Sequence, residues 1–121
     1  MGREQFSGPV DIRWVEDHPR VMVLLKDLVF FDDAGRKWIA LKYARINGAS
    51  IPPILWPIIG SPYVGLYRRA SVLHDYYYTT HLRPRQEVDL MFLDAMIADG
   101  VDEHLAALMY NAVRDFGGAS W

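Results

Sequence analysis

The stretch from Asn47 to Gly65 limits what this chain can fold into more than any other part of it. Four prolines (Pro52, Pro53, Pro57, Pro62) and three glycines (Gly48, Gly60, Gly65) fall within it. Proline lacks a backbone donor and fixes φ, so neither a regular helix nor a central strand can cross such a stretch. Yet it is apolar, with Ile51, Ile54, Leu55, Trp56, Ile58 and Ile59. A long apolar loop in a compact chain is functional or packed over something. Ile51, Ile54, Leu55 and Trp56 are therefore expected to be buried, against the helices or in a partner interface. Leaving them in water would forgo roughly 1.5–3 kcal/mol each.

On either side of this stretch the hydrophobic period changes. Val10 to Val15 alternates loosely, Arg20 to Phe31 is rich in Val, Leu and Phe, and Arg36 to Ile46 carries Trp38, Ile39, Leu41, Tyr43 and Ile46. Asp32-Asp33-Ala34-Gly35 between the last two runs is a turn, and two apolar runs around an Asp/Gly turn predict a hairpin. After Gly65 the period is helical. Leu66 to Thr79 places Leu66, Ala70, Leu73 and Tyr77 on one stripe. A second helix starts near Pro84 and runs to about Ala98, with Val88, Met91, Phe92, Ala95 and Met96 inward. A third starts at Asp102, carries Leu105, Leu108, Met109, Ala112, Val113 and Phe116, and closes at Gly117-Gly118. The expected fold class is α+β: a small N-terminal antiparallel β-sheet, a Pro/Gly-rich central loop and a C-terminal three-helix region.

Composition removes several functions. At 121 residues the chain is expected to be one domain. Thirteen Lys and Arg against fifteen Asp and Glu leave a net charge of −2, so no nucleic-acid partner is expected. The absence of cysteine excludes a thiol nucleophile and a disulfide scaffold. No apolar run approaches the roughly 20 residues that span a bilayer. The N-terminus has no apolar stretch behind a basic start. Neither a transmembrane segment nor a signal peptide is expected.

Chemistry concentrates on the first helix, in His74-Asp75-Tyr76-Tyr77-Tyr78. Tyr67, Ser71, His74 and Tyr78 share one helical face, distinct from the apolar stripe. Asp89 borders the apolar face of the second helix, where a carboxylate is costly unless paired. The short linker from Thr80 to Arg83 predicts antiparallel packing of the two helices. Asp89 can then accept the ring N–H of His74, the usual form of an oriented general base. It is as well placed to pair with Arg68, Arg69 or Arg85 as a structural ion pair. Asp75 would be free for a hard cation. His81 could join a His74, Asp75, His81 and Asp89 set adequate for zinc or a harder metal. Arg68 and Arg69 sit where the helix dipole disfavours cations, so an acidic neighbour or an anionic ligand must hold them. Ser50 shows no sequence sign of activation. With Trp56, Tyr67, Ser71 and Arg68 it completes the candidate set as a binding residue.

Two resemblances rest on these residues. Gly48-x-Ser50-Ile51-Pro52, Trp56, Gly60-x-Pro62, Ala70, His74-Asp75-x-x-Tyr78, Arg85, Asp89-x-x-Phe92, Met109-Tyr110-x-Ala112-Val113 and Phe116-Gly117 together resemble a small phage and prophage family, a domain of unknown function. That likeness implies a phage or integrated-phage origin, and with it the host cytoplasm or the virion as location. His74-Asp75-x-x-Tyr78 followed by Asp89-x-x-Phe92 is also similar, locally, to the catalytic helices of phospholipases A2. This second likeness implies that His74 activates water, Asp75 binds calcium, and Asp89 orients His74 with help from Tyr78. The paired cysteines and Gly-x-Gly calcium loop of that family are missing here.

The expected function is a small phage-associated hydrolase acting on a cell-envelope substrate, lipid ester or peptidoglycan. It would use metal-assisted water attack, with His74 as base, Asp89 as orienter, and calcium or zinc held at Asp75 and His81. The alternative is a non-enzymatic phage protein, a virion or tail component or a factor binding a host protein through the loop around Trp56. In that case His74 and Asp89 merely tie helices together. Access separates the two: an open cleft at His74 and Asp75 favours chemistry, and full packing favours structure.

Overall fold

The structure, a computed structural model, describes residues 5–15, 18–48, 50–52 and 65–121. Among these residues five short strands come first: β1 (Ile12–Val15), β2 (His18–Leu24), β3 (Leu28–Phe31), β4 (Lys37–Ala40) and β5 (Arg45–Ile46). They form two antiparallel sheets, one ordered β1-β2-β5 and one pairing β3 with β4. Inward positions follow the two-residue period of a strand. Met22, Leu24, Leu28, Phe30, Trp38, Ala40 and Ile46 are all buried. The expected hairpin is β3–β4, with Phe30 opposite Trp38. Asp32 closes it: its carboxylate accepts from the backbone N–H of Ala34 and Arg36 and from the Trp38 indole (3.0, 2.9 and 2.9 Å).

Each long run expected as one strand is in fact two. Arg20 to Phe31 breaks after Leu24, and Arg36 to Ile46 breaks after Ala40. Local polar bonds win over strand propensity here. Asp27 accepts from the Lys42 N–H (2.7 Å), and Tyr43 turns the chain at φ 74° while its N–H donates to the Leu24 carbonyl (2.8 Å).

Three helices follow among the described residues: α1 (Arg68–Thr80), α2 (Arg85–Ala98) and α3 (Glu103–Phe116). A 3-10 turn at Gly65–Tyr67 leads into α1. Leu66 lies in that turn and is exposed, so it is not on the apolar stripe. Asp102 caps α3 by accepting from the N–H of His104 and Leu105. The inward set expected for α2 is buried in full. On α3, Leu108 and Phe116 are exposed while Met109 and Val113 are buried.

The central element is α1, buried without a break from Ala70 to Tyr78. On one side it meets the strands: the Trp38 and Tyr77 rings touch edge to face (4.9 Å), and Ile39 N–H donates to the Tyr77 hydroxyl (2.9 Å). On the other it meets α2. Arg69 pairs with Asp99, His74 with Asp89, and Tyr78 with Arg85. Partner numbers fall as α1 numbers rise, so the two helices run antiparallel, as the short linker predicts. Ile51 of the apolar loop is fully buried. Ile54, Leu55 and Trp56 lie outside the described residues. No helix among the described residues is long and apolar enough to cross a membrane.

Candidate functional site

The face of α1 expected to be polar and aromatic points into the protein. His74 is 0% exposed, and both ring nitrogens are engaged. Nε2 lies 2.7 Å from Oδ1 of Asp89, and Nδ1 lies 3.0 Å from Oγ of Ser50. A carboxylate accepts, so Nε2 carries the proton and Nδ1 is the bare nitrogen that accepts from the serine hydroxyl. The Tyr78 and Phe92 rings flank the imidazole at 4.2 and 4.6 Å between centroids.

Asp89 is the hub of this set and is also 0% exposed. Oδ1 takes the His74 N–H and the Tyr78 hydroxyl (2.7 Å), and Oδ2 takes Arg114 Nη1 (2.8 Å). Arg85 Nε stands 3.8 Å from Oδ2 and donates to the Tyr78 hydroxyl (3.1 Å). Its Nη2 donates to the carbonyls of Val113 and Arg114 near the end of α3 (2.8 and 2.7 Å). Gly117 is required where α3 ends, since a Cβ there would come 2.7 Å from the Tyr78 hydroxyl.

The charges follow from these contacts. Burial pushes the Asp89 carboxyl up, but hydrogen bonds from His74, Tyr78 and Arg114 outweigh it and hold the group below its ordinary value. Burial pulls the His74 imidazole down, more strongly than Asp89 pulls it up. Arg114 neutralises Asp89, so the histidine can stay neutral, the form a base requires. Burial and the bond to Asp89 push the Tyr78 phenol up, and it stays a donor.

Ser50 stands on the turn after β5, where Gly48 takes φ 73° and Ile51 N–H closes back on the Gly48 carbonyl (3.2 Å). Asp75 fixes that turn. Its two oxygens accept from the N–H of Asn47 (3.0 Å) and of Ser50 (3.2 Å). Asp75 and His81, expected to hold a cation, both make other contacts here. Each Asp75 oxygen is turned toward an amide hydrogen. His81 is exposed at the left-handed end of α1, with its ring stacked on Trp121 (4.1 Å). Among the described residues no group of three or more His, Asp or Glu side chains is placed to hold a metal ion.

The structure thus brings together His74, Asp89, Tyr78 and Ser50, with Asp75 behind the serine turn. Tyr67 is half-buried at the start of α1, its phenol pushed up by burial and then by the Asp102 charge. Ser71 is buried, and its Oγ has no hydrogen-bond partner among the described residues. Arg68 lies at the same end of α1, and Trp56 is outside the described residues. Sequence reasoning missed Arg114, although it is the only Lys or Arg after Arg85. It also missed the direct bond from Ser50 to His74, which a loop serine 24 residues away does not announce.

These features define a small α+β chain with a buried Ser-His-Asp chain between its sheets and helices. The chain belongs to the family described as "Protein of unknown function (DUF1353)", whose model matches residues 22–113. That match takes in Ser50, His74, Tyr78 and Asp89 and stops one residue short of Arg114. Two relatives come from Sinorhizobium fredii. The uncharacterized protein y4iH is 39% identical over 110 residues, which is 91% of this chain and 45% of the relative. The uncharacterized protein y4jT is 39% identical over 112 residues, which is 92% of this chain and 33% of the relative. The chain therefore spans less than half the length of these curated relatives. No solved structure matches it.

Proposed function

We propose that this chain is a small hydrolase of the acyl-transfer type, with Ser50 as nucleophile, His74 as its base and Asp89 as the group that orients the base. The observation that carries this reading is the continuous Ser50–His74–Asp89 chain at 3.0 and 2.7 Å. A nucleophile within hydrogen-bond reach of a base, which a third group orients in turn, is the signature of an activated hydroxyl. In the first step Ser50 Oγ attacks the substrate carbonyl carbon and its proton passes to His74 Nδ1. His74 then gives that proton to the leaving group. Water, deprotonated by the same nitrogen, releases the acyl group and returns a proton to Ser50. Asp89 keeps the proton on Nε2 throughout and stabilises the transient imidazolium. Tyr78 and Arg114 position Asp89. This differs from metal-assisted water attack in using no cation at Asp75, whose oxygens hold the serine turn. The resemblance to phage and prophage proteins points to the cell envelope for substrate, with a lipid ester or a peptidoglycan bond as the group attacked.

One observation favours a second reading. Ser50, His74 and Asp89 are at most 1% exposed. Full packing is what a polar clamp joining the loop and three helices would show in a non-enzymatic phage protein. The hydrolase reading accordingly requires an opening of the Gly48–Pro52 turn before chemistry. Ser50→Ala separates the two. Among the described residues the hydroxyl makes one bond, and its loss leaves His74 Nδ1 unmet, so it costs about 1–3 kcal/mol of stability in either case. In a hydrolase the same change removes the nucleophile and lowers turnover of phospholipid or peptidoglycan fragments by 10³-fold or more. Wild-type turnover that survives in Ser50→Ala, or no turnover of either substrate by the wild type, leaves the clamp.

A further inference from the structure

Arg68 and Arg69 stand side by side at the start of α1, and the fold treats them differently. Arg69 is fully employed. Its guanidinium forms a two-point ion pair with Asp99, donates to the Gly8 carbonyl (3.0 Å) and lies over the Phe6 ring (4.1 Å). Among the described residues Arg68 has neither a hydrogen bond nor an ion pair, and its Nε is shut away from solvent without an acceptor. Native structures rarely leave a guanidinium Nε–H buried without an acceptor.

Two further observations point the same way. The first turn of α1 has no acidic residue and no side-chain cap, so the positive end of the helix lies beside the Arg68 charge. Arg68 lines a cavity of about 490 Å³. The apolar wall of that cavity is Pro9, Val10 and Leu66, and its other two charges, Arg69 and Asp99, neutralise each other. Among the described residues that line it, what remains is a single uncompensated positive charge against an apolar wall.

We propose that this cavity binds a small organic anion, with a carboxylate or phosphate-ester head on the Arg68 guanidinium and an apolar body along Pro9, Val10 and Leu66. A planar fork of donors suits both head groups. The site is separate from the Ser50–His74–Asp89 set. Arg68 precedes His74 by six residues, about 9 Å along the helix, and neither His74 nor Ser50 lines the cavity.

The test uses the full chain with benzoate, phenyl phosphate, acetate and inorganic phosphate at constant ionic strength, read by melting temperature and by titration calorimetry. Benzoate or phenyl phosphate raises the melting temperature, and each binds more tightly than its counterpart without the ring. The tighter of the two ring compounds assigns the head group. Arg68→Gln weakens binding at least tenfold and leaves the ligand-free melting temperature unchanged or higher, because the side chain has no partner to lose. Arg68→Lys keeps the charge without the fork and binds between the two. The proposal is overturned if none of the four anions shifts the wild type, if Arg68→Gln binds as well as wild type, or if Arg68→Gln melts lower or fails to fold without ligand.

Discussion

The two halves of α1 carry similar polar side chains and leave them in opposite states. From His74 to Tyr78 the buried polar groups are met: His74 by Ser50 and Asp89, Asp75 by two backbone amides, Tyr78 by Asp89 and Arg85. At the other end, Arg68 Nε and Ser71 Oγ are buried and met by nothing among the described residues. Burial alone therefore does not separate a polar group that holds the fold from one that awaits a ligand; satisfaction does. A satisfied group supports the fold it is bonded into, and removing it strands its partners. An unsatisfied group weakens the fold until something binds.

That contrast sets the order of expected effects. Asp89→Ala is the largest. It strands Arg114, Tyr78 and His74 together and should cost about 3–5 kcal/mol in denaturant unfolding. A loss below about 1 kcal/mol would mean that the hub holds little. Next comes pH. Burial keeps the His74 imidazole below its ordinary value of 6.5, so the folded chain leaves it neutral where the unfolded chain takes up a proton. The unfolded state then binds more protons, and stability is full above about 6.5 and falls as acid is added. One group can supply a slope of at most about 1.4 kcal/mol per pH unit. Asp89, also held below its ordinary value, extends the loss into the carboxylate range. Unfolding free energies at pH 7.5, 6.5 and 5.5 should show this slope, and a flat profile would deny a buried neutral His74. Arg68→Gln is the smallest change and has the opposite sign. Removing an unpaired cation beside the helix N-terminus should gain about 0.3–1 kcal/mol in ligand-free buffer.

Some of this was legible in the residues, and the rest was not for identifiable reasons. Periodicity located three helices and the β3–β4 hairpin because apolar spacing reports burial directly. It could not see the break after Leu24, where an aspartate 15 residues from Lys42 decides the turn. The pairing of His74 with Asp89 was readable because a short linker and two helical periods fix which residues meet. That the Tyr67, Ser71, His74 and Tyr78 face turns inward was not readable for a related reason. A helix packed on nearly all sides buries its polar stripe as well as its apolar one. Arg114 and Ser50 reach the set across 25 and 24 residues, through a third helix and a turn whose approach no local pattern encodes.

The central claim is that Ser50 Oγ is a nucleophile activated by His74. A fluorophosphonate tests it without knowledge of the substrate. An activated serine oxygen displaces fluoride and keeps the phosphonyl group as a stable adduct that mass spectrometry assigns to one residue. The folded wild-type chain should carry a single adduct, on Ser50. Labelling should be abolished in Ser50→Ala and strongly slowed in His74→Gln held below its own melting temperature. An unlabelled wild type, an adduct on another residue, or equal labelling of Ser50 in His74→Gln would contradict the account and leave the buried chain as a clamp.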